Sequence, residues 1–308
     1  MADILVTGGT GFIGAALVRQ LSASGHRVIC TVRPERSDVS ILQNLSNVMV
    51  IPTPLDDPHQ LAQALAQTKP TVVYNLAASG VGLAQRGPLA LVAGNVNVVA
   101  SLMQVAADWP LQRFIHVGSC SEYGMVAPRA VHEDIPLQPC SPYGGAKAAA
   151  SVMALGVARE LGIPLAVLRL FGVFGTGEAH FRLLPSLLSA LRQGLPFALT
   201  PGTQIRDFTW IDDMVAALCA AGGTALPANA VFNVGTGLGH TVREIAETMA
   251  DILGAPRHLL HFGARPARDD EPQVLVSDPS RFQKATGWAP QTNMRDALQE
   301  MLASAEAT

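Results

Sequence analysis

Charge is scarce in this chain. Of its 308 residues 15% are Asp, Glu, Lys or Arg and the formal net charge is −3, where an average soluble domain is about a quarter charged. Nucleic-acid polymers demand a clustered basic excess, so none is expected as a partner. Aromatic side chains are also few, at 5%, so the hydrophobic share of 49% rests on Ala, Leu and Val, a texture found where helices cover a buried parallel sheet. The same share excludes a disordered chain. Four cysteines, Cys30, Cys120, Cys140 and Cys219, show no CxxC spacing, which excludes a disulfide framework and a thiolate metal site. Uninterrupted apolar stretches end within about a dozen residues, short of the roughly 20 that a spanning helix needs, so no membrane span is expected. The start, Met1-Ala2-Asp3-Ile4-Leu5-Val6-Thr7-Gly8, carries no basic n-region, and a cytoplasmic protein is expected.

At roughly 150 residues per domain the length allows two lobes or one large α/β body. Short β-branched runs, Ile4–Val6, Val28–Val32, Val48–Ile51, Thr71–Leu76, Phe114–Val117 and Leu165–Leu170, alternate with helical patterns at Ala15–Ala23, Leu61–Ala66, Leu89–Ala107 and Pro142–Leu161. That alternation predicts a doubly wound parallel sheet of the Rossmann type over residues 1–171. Beyond Arg169, Gly and Pro punctuate shorter elements. A smaller substrate-binding lobe is expected over 172–308, with 208–236 returning to the sheet through a helix at Trp210–Ala221 and a strand at Val231–Val234. Thr241-Val-Arg-Glu244 has capping-box spacing ahead of a further helix, Ile245–Leu253.

Gly8-Gly9-Thr10-Gly11-Phe12-Ile13-Gly14 follows the first predicted strand and opens the first predicted helix. Glycines there allow a tight turn and let backbone N–H groups reach a pyrophosphate at the helix N-terminus. Gly8, Gly11, Phe12, Ile13 and Gly14 are therefore candidate dinucleotide-binding residues. At the tip of the second strand an acid favours NAD and an arginine favours NADP. The run Val28-Ile29-Cys30-Thr31-Val32-Arg33-Pro34-Glu35-Arg36 offers Arg33, with Arg36 behind it, so NADP(H) is expected over NAD(H).

Tyr143 and Lys147 stand four residues apart, on one face of a helix. A phenol titrates near 10 and needs a nearby cation to work as an acid or base near neutrality. Lys147 is placed to supply that charge and to hold a ribose hydroxyl, while Tyr143 exchanges a proton with a sugar oxygen. Ser119 lies at the C-terminal end of a predicted strand, where ligands bind in such sheets, and is the candidate to hydrogen-bond the same oxygen. Ser121 also has the turn-capping chemistry of serine. Cys120 reads as a buried filler. His116, His132 and His180 read as packed or solvated side chains, and no metal site is expected.

On these motifs the chain resembles the extended short-chain dehydrogenase/reductases, the nucleotide-sugar epimerase/dehydratase family. The resemblance extends to Asn75-Leu76-Ala77-Ala78, Asn95-Val96, Arg169-Leu-Phe-Gly-Val-Phe-Gly175, Gln204-Ile-Arg206-Asp207-Phe-Thr-Trp-Ile-Asp212-Asp213, Asp278-Pro-Ser-Arg281 and Thr286-Gly287-Trp288-Ala-Pro290. It implies an NAD(P)-holding Rossmann domain and a lobe that clamps the diphosphate of a nucleoside-diphosphate sugar. By the same resemblance Leu76, Ala77, Ala78 and Asn95 line the cofactor, and Asp56 or Asp57 replaces the adenine-side acid, whose usual place holds Pro54. Ser121 and Glu122 would face the sugar. Arg206 and Arg268 would clamp its diphosphate, guanidinium groups binding phosphate oxygens in pairs. The alternative for Arg206 is an ion pair with Asp207 or Asp212. Members of the family dimerise through two helices, here Leu89–Ala107 and Pro142–Leu161. The block Gly118-Ser-Cys-Ser-Glu-Tyr-Gly124 resembles 4-ketoreductases such as GDP-4-dehydro-6-deoxymannose reductase, so NADPH-dependent reduction of a 4-keto-6-deoxyhexose is expected. The alternatives are a 4-epimerase with tightly held NAD and, in another class, a non-catalytic NADP-sensing regulator. Gly172 and Thr176 stand where the family has Asn and Pro.

Overall fold

The computed structural model describes residues 2–34, 38–80, 87–127, 129–267 and 271–304. In chain order β1 is Asp3–Thr7, β2 Arg27–Val32, β3 Val48–Pro52, β4 Val72–Asn75, β5 Arg113–Ser119 and β6 Leu165–Leu170, and the strand Ala230–Val234 follows much later. They form one seven-stranded sheet in the order Ala230–Val234, β6, β5, β4, β1, β2, β3, and every neighbouring pair is parallel. The order runs outward in both directions from the β1–β4 boundary. This is the Rossmann-type switch point, and the ligand crevice opens at the strands' C-terminal ends there.

Both faces of the sheet are buried over its inner strands, which is why those read as near-continuous apolar runs, while the edge strand β3 leaves Met49 exposed. Leu5, Ile29, Val73, Phe114 and Val167 point to one face. Their neighbours Val6, Cys30, Tyr74, Ile115 and Leu168 point to the other, the alternation that a pleated strand imposes. On the first face lie α2 (Pro58–Leu65), α3 (Pro88–Leu91) running on into α4 (Val98–Ala106), and α5 (Pro142–Leu161); on the second lie α1 (Phe12–Ala23) and the helix Ile211–Gly223. The helix predicted over Leu89–Ala107 is interrupted by a π-helical stretch, Val92–Asn97. Asn95 Nδ2 donates there to the Leu91 carbonyl at 2.8 Å and to the Ser79 carbonyl at 3.2 Å, the kind of side-chain competition that accompanies such bulges. Pro88–Ala106 has 19 residues and a mean hydropathy of 1.7, long and apolar enough by length and composition to cross a membrane. An apolar-run count overlooks it, because Gly94, Asn95, Asn97 and Ser101 interrupt the run without adding charge. Val98, Val99, Leu102, Met103 and Ala106 of this helix are buried in the protein.

From Gly172 onward the chain builds small sheets above the crevice. Gly172–Phe174 pairs with Phe208–Trp210, and Ile205–Arg206 lies between His240–Thr241 and Val274–Leu275. Thr241 and Glu244 form the expected capping box on the helix Val242–Leu253. The Asp213 carboxylate accepts from the backbone N–H of Gln291 at 3.0 Å and Thr292 at 2.9 Å, and Trp288 Nε1 donates to the Asp213 carbonyl at 3.1 Å. The Asp212-Asp213 and Gly287-Trp288-Ala-Pro290 motifs thereby dock the C-terminal segment on the rest of the chain.

Candidate active site

The glycine segment forms a cradle that side chains would fill. Gly8 has φ +72°, and a Cβ on it would stand 2.8 Å from the Leu76 and Ala77 backbone, while one on Gly14 would overlap the Gly8 carbonyl. Helix α1 begins after Gly11, with no side-chain cap and no acidic residue in its first turn. Its first N–H groups thus carry no side-chain cap, the arrangement that anion-binding helix N-termini share. Thr7 at the end of β1 donates to Asn75 Oδ1 at 2.7 Å and accepts from Ala77 N at 3.2 Å. That pair draws the Leu76–Ala78 segment against the cradle. Phe12 and Ile13 pack on the core beneath, and Gly177 approaches the Phe12 ring.

Arg33 stands exposed directly after β2, and Arg36 lies outside the described residues. Asp56 is exposed. Asp57, the other candidate on the adenine side, caps α2 instead, accepting from His59 N and Gln60 N at 3.0 Å each. Asn95 is buried and its Oδ1 has no hydrogen-bond partner among the described residues.

Ser119, Tyr143 and Lys147 converge at the ends of β5 and α5. Ser141 caps α5 through Gly144 N at 3.1 Å, which sets Tyr143 in the first turn and Lys147 one turn on. Ser119, at the end of β5, lies near enough to Tyr143 for its hydroxyl to pull the phenol's pKa down. The Lys147 ammonium is buried and donates to the Val117 carbonyl at 2.5 Å. Burial pulls Lys147 down to about 8, against the favourable charge of Glu122. Burial pushes the Tyr143 phenol up to about 12, aided by Cys120 and Glu122 and opposed by the Arg182 charge and the Ser119 hydroxyl. The Lys147 ammonium is turned to the Val117 carbonyl, and the Arg182 charge also draws the phenol down. Beneath them His116 is fully buried, next to Asn75 Nδ2 at 3.1 Å. Burial and the Lys147 charge hold it well below the usual imidazole range, so it is a packed neutral side chain. Burial likewise raises the Cys120 thiol to about 12, which leaves it no thiolate for nucleophilic work.

Two substrate assignments change. Glu122 is fully buried, with its carboxylate bonded to Ser119 N at 2.8 Å, Ser151 Oγ at 3.0 Å and Arg169 Nε at 2.8 Å. It faces away from any sugar, because burying an unpaired carboxylate would cost far more than pairing it with Arg169. Arg206 forms an ion pair with Glu271 at 2.5 Å, in place of Asp207 or Asp212. Asp207 is occupied with Thr236, Gly237 and Ser277. Arg206 Nη1 also donates to the Ile205 carbonyl at 2.8 Å. Ser121 is partly exposed and its N–H caps Ser119 Oγ at 3.2 Å. Arg268 lies outside the described residues.

Sequence reasoning did not anticipate Glu178 and Arg182, which pair at 3.2 Å on the segment following Gly177. Burial raises Glu178 to about 7, against the pull of Arg182, and its Oε2 has no hydrogen-bond partner among the described residues. Nor did it give Arg169 a role, although an arginine inside Leu165-Ala-Val-Leu-Arg-Leu170 signals a buried partner. Gly172 replaces the family's Asn because the backbone of Asp207 comes too near, a Cβ falling 2.7 Å from its carbonyl oxygen. Among the described residues no His, Cys, Asp and Glu group could hold a metal ion.

A glycine cradle at the switch point of a parallel sheet, with Ser, Tyr and Lys at the same edge, defines a dinucleotide-dependent oxidoreductase of the extended short-chain type. The chain belongs to the NAD dependent epimerase/dehydratase family, whose model matches residues 4–235. It is 31% identical to dTDP-6-deoxy-L-talose 4-dehydrogenase (NAD(P)(+)) of Kitasatospora kifunensis, over 97% of this chain and 94% of that one. With UDP-glucose 4-epimerase of Mycolicibacterium smegmatis it shares 30% identity, over 96% and 95%. The crystal structure of UDP-glucuronic acid 4-epimerase from Bacillus cereus, in complex with UDP-glucuronic acid and NAD, superposes with a TM-score of 0.88 at 26% identity, over 99% of both chains. These relatives place the chain among enzymes that modify nucleotide sugars. They are mostly 4-epimerases, and the particular closeness to GDP-4-dehydro-6-deoxymannose reductase is not shown.

Proposed function

We propose that the protein is a nucleotide-sugar 4-epimerase, moving hydride between C4 of the sugar and a bound nicotinamide. The observation that carries this reading is the convergence of Ser119, at the end of β5, with Tyr143 and Lys147, one turn apart at the start of α5, and the 4-epimerases among the relatives support it. NAD fits the cradle at Gly8–Gly14 and supplies a hydride acceptor when bound. Tyr143, as phenolate, takes the proton of the C4 hydroxyl, and Ser119 holds the same oxygen so that the proton and hydride leave together. Lys147 holds a ribose hydroxyl and adds the positive charge that a phenolate needs near neutral pH. On return of the hydride to the other face of the turned keto sugar, Tyr143 would give its proton back to the C4 oxygen. Arg206, on giving up its ion pair with Glu271, and Arg268 would grip the diphosphate that stays fixed while the sugar turns.

A second reading, NADPH-dependent 4-ketoreduction, is favoured by Arg33 at the tip of β2 and by the talose 4-dehydrogenase relative. One assay separates them. With UDP-glucose and NAD the epimerase isomerises sugar without net consumption of cofactor, whereas a ketoreductase consumes one NADPH per 4-keto sugar. Cofactor binding with neither activity marks a sensor. Tyr143→Phe is expected to fold, bind cofactor and lose roughly 10²–10⁴ in turnover, and full activity in that variant overturns the assignment. The pairing of subunits is part of the same proposal. Leu89 is 86% and Val152 59% exposed, on the adjacent helices α3 and α5, with Val92 and Met153 beside them, an apolar surface suited to a second copy of this chain.

A further inference from the structure

Glu122 is a carboxylate that the chemistry above does not use. Its Oε1 accepts from Ser119 N at 2.8 Å and Ser151 Oγ at 3.0 Å, and its Oε2 accepts from Arg169 Nε at 2.8 Å. The side chain is wholly inaccessible and that of Arg169 is 6% exposed. The space it fills exists because residue 118 is glycine, where a Cβ would stand 2.5 Å from Oε1. Glu122 and Ser119 close a capping box, Ser119 Oγ accepting from Ser121 N at 3.2 Å. The carboxylate thereby fixes the backbone of the residue whose hydroxyl lies near Tyr143. Arg169 is tied down in turn by Tyr123, whose hydroxyl takes Nη1 at 2.9 Å and donates to Asn233 Oδ1 at 2.7 Å.

We propose that Glu122 is a positioning residue for the reaction, its buried carboxylate aiming Ser119 at Tyr143 and, through its bond to Ser151, setting a negative charge against α5 one turn from Lys147. The proposal rests on the reading of Ser119, Tyr143 and Lys147 as the catalytic group. The charged and titratable neighbours of Lys147 are Glu122 from the turn after β5, His116 from β5 and Tyr143 from its own helix; those of Glu122 are Arg169, Cys120, Tyr143 and Lys147. Of these, Glu122 carries the negative charge that favours the protonated amine, whereas burial opposes it. His116 is neutral and adds no counter-charge. Without Glu122 the ammonium would release its proton at lower pH.

The test is Glu122→Gln, which keeps an acceptor for Ser119 N and removes the charge. Two readouts are taken against pH, UDP-glucose turnover and the affinity of the cofactor-free protein for NADH. The expected result is a fall in kcat of about 10–100-fold with the UDP-glucose KM within about threefold. In both readouts the alkaline limb moves to lower pH, a displacement that loss of packing alone does not produce. Glutamine sets an N–H against Arg169 Nε, so Glu122→Met with Arg169→Met, which removes both buried charges, is made beside it and is expected to fold and show the same displacement. A folded variant whose two alkaline limbs stay where the wild-type limbs are overturns the proposal. Tyr143→Phe separates the two claims. If that variant is inactive while Glu122→Gln leaves the limbs unmoved, the positioning role alone falls; if it keeps its activity, the reading of the site falls as well.

Discussion

Replacing Lys147 by Met is expected to make the free protein more stable and catalytically dead. The Lys147 amine is 3% exposed and is held at about 8 against an ordinary 10.5. A difference of about 2.5 in pKa, at 1.36 kcal/mol for each, means that folding works against the ammonium by about 3 kcal/mol at pH 7. The folded pKa lies below the unfolded one, so between about 8 and 10.5 the unfolded chain binds the extra proton. The cost is therefore present in full below about 8 and fades as pH rises toward 10.5. Met is similar in length and carries no charge, so the substitution removes that cost and gives up the hydrogen bond to the Val117 carbonyl, worth about 1.5–3 kcal/mol for a charged donor. A net gain of roughly 1 kcal/mol remains, or about 2–4 °C in Tm. Calorimetry of wild type and Lys147→Met without cofactor, at pH 7 and again near pH 10, measures it. The variant should melt higher at pH 7, and its advantage should shrink at the higher pH. A lower Tm for the variant at pH 7, or a gap that does not shrink, refutes the reasoning that this lysine is held in its site against its own desolvation.

Other substitutions test the remaining parts of the site. Arg33→Ala should weaken NADP binding about 10–100-fold, the value of one charge-assisted phosphate contact, and leave NAD affinity unchanged; titration of both cofactors checks this, and equal NADP affinity in the two proteins removes Arg33 from the phosphate. Arg206→Ala should raise the KM for UDP-glucose far more than it lowers Tm, whereas the opposite pattern assigns the arginine to its ion pair with Glu271. Leu89→Glu combined with Val152→Glu should give a monomer by light scattering with an unchanged circular dichroism spectrum. A wild-type protein that is already monomeric at micromolar concentration counts against the apolar face as a subunit contact.

The sheet was legible because its strands are short apolar runs between helical patterns, and burial of the inner strands on both faces leaves little polar alternation to confuse the reading. The glycine cradle and the Tyr143/Lys147 pair were legible because their chemistry depends on local spacing. What was not legible depends on pairs far apart in the chain. Glu122 meets Arg169 across 47 residues and Arg206 meets Glu271 across 65, and nothing in the local sequence tells a carboxylate aimed at a sugar from one spent on an arginine. The scarcity of charge has a consequence here. In a chain with 24 acidic and 21 basic residues, a charge inside the protein has to be paired or else stand strained, because desolvation is costly and is recovered only by a close partner. Glu122 and Arg169 take the first course and Lys147 the second. A buried arginine in an apolar strand is thus a demand for a carboxylate, and in this chain that demand is met by the residue three places after Ser119. The arrangement couples β6, at the centre of the fold, through Glu122 to the backbone of Ser119.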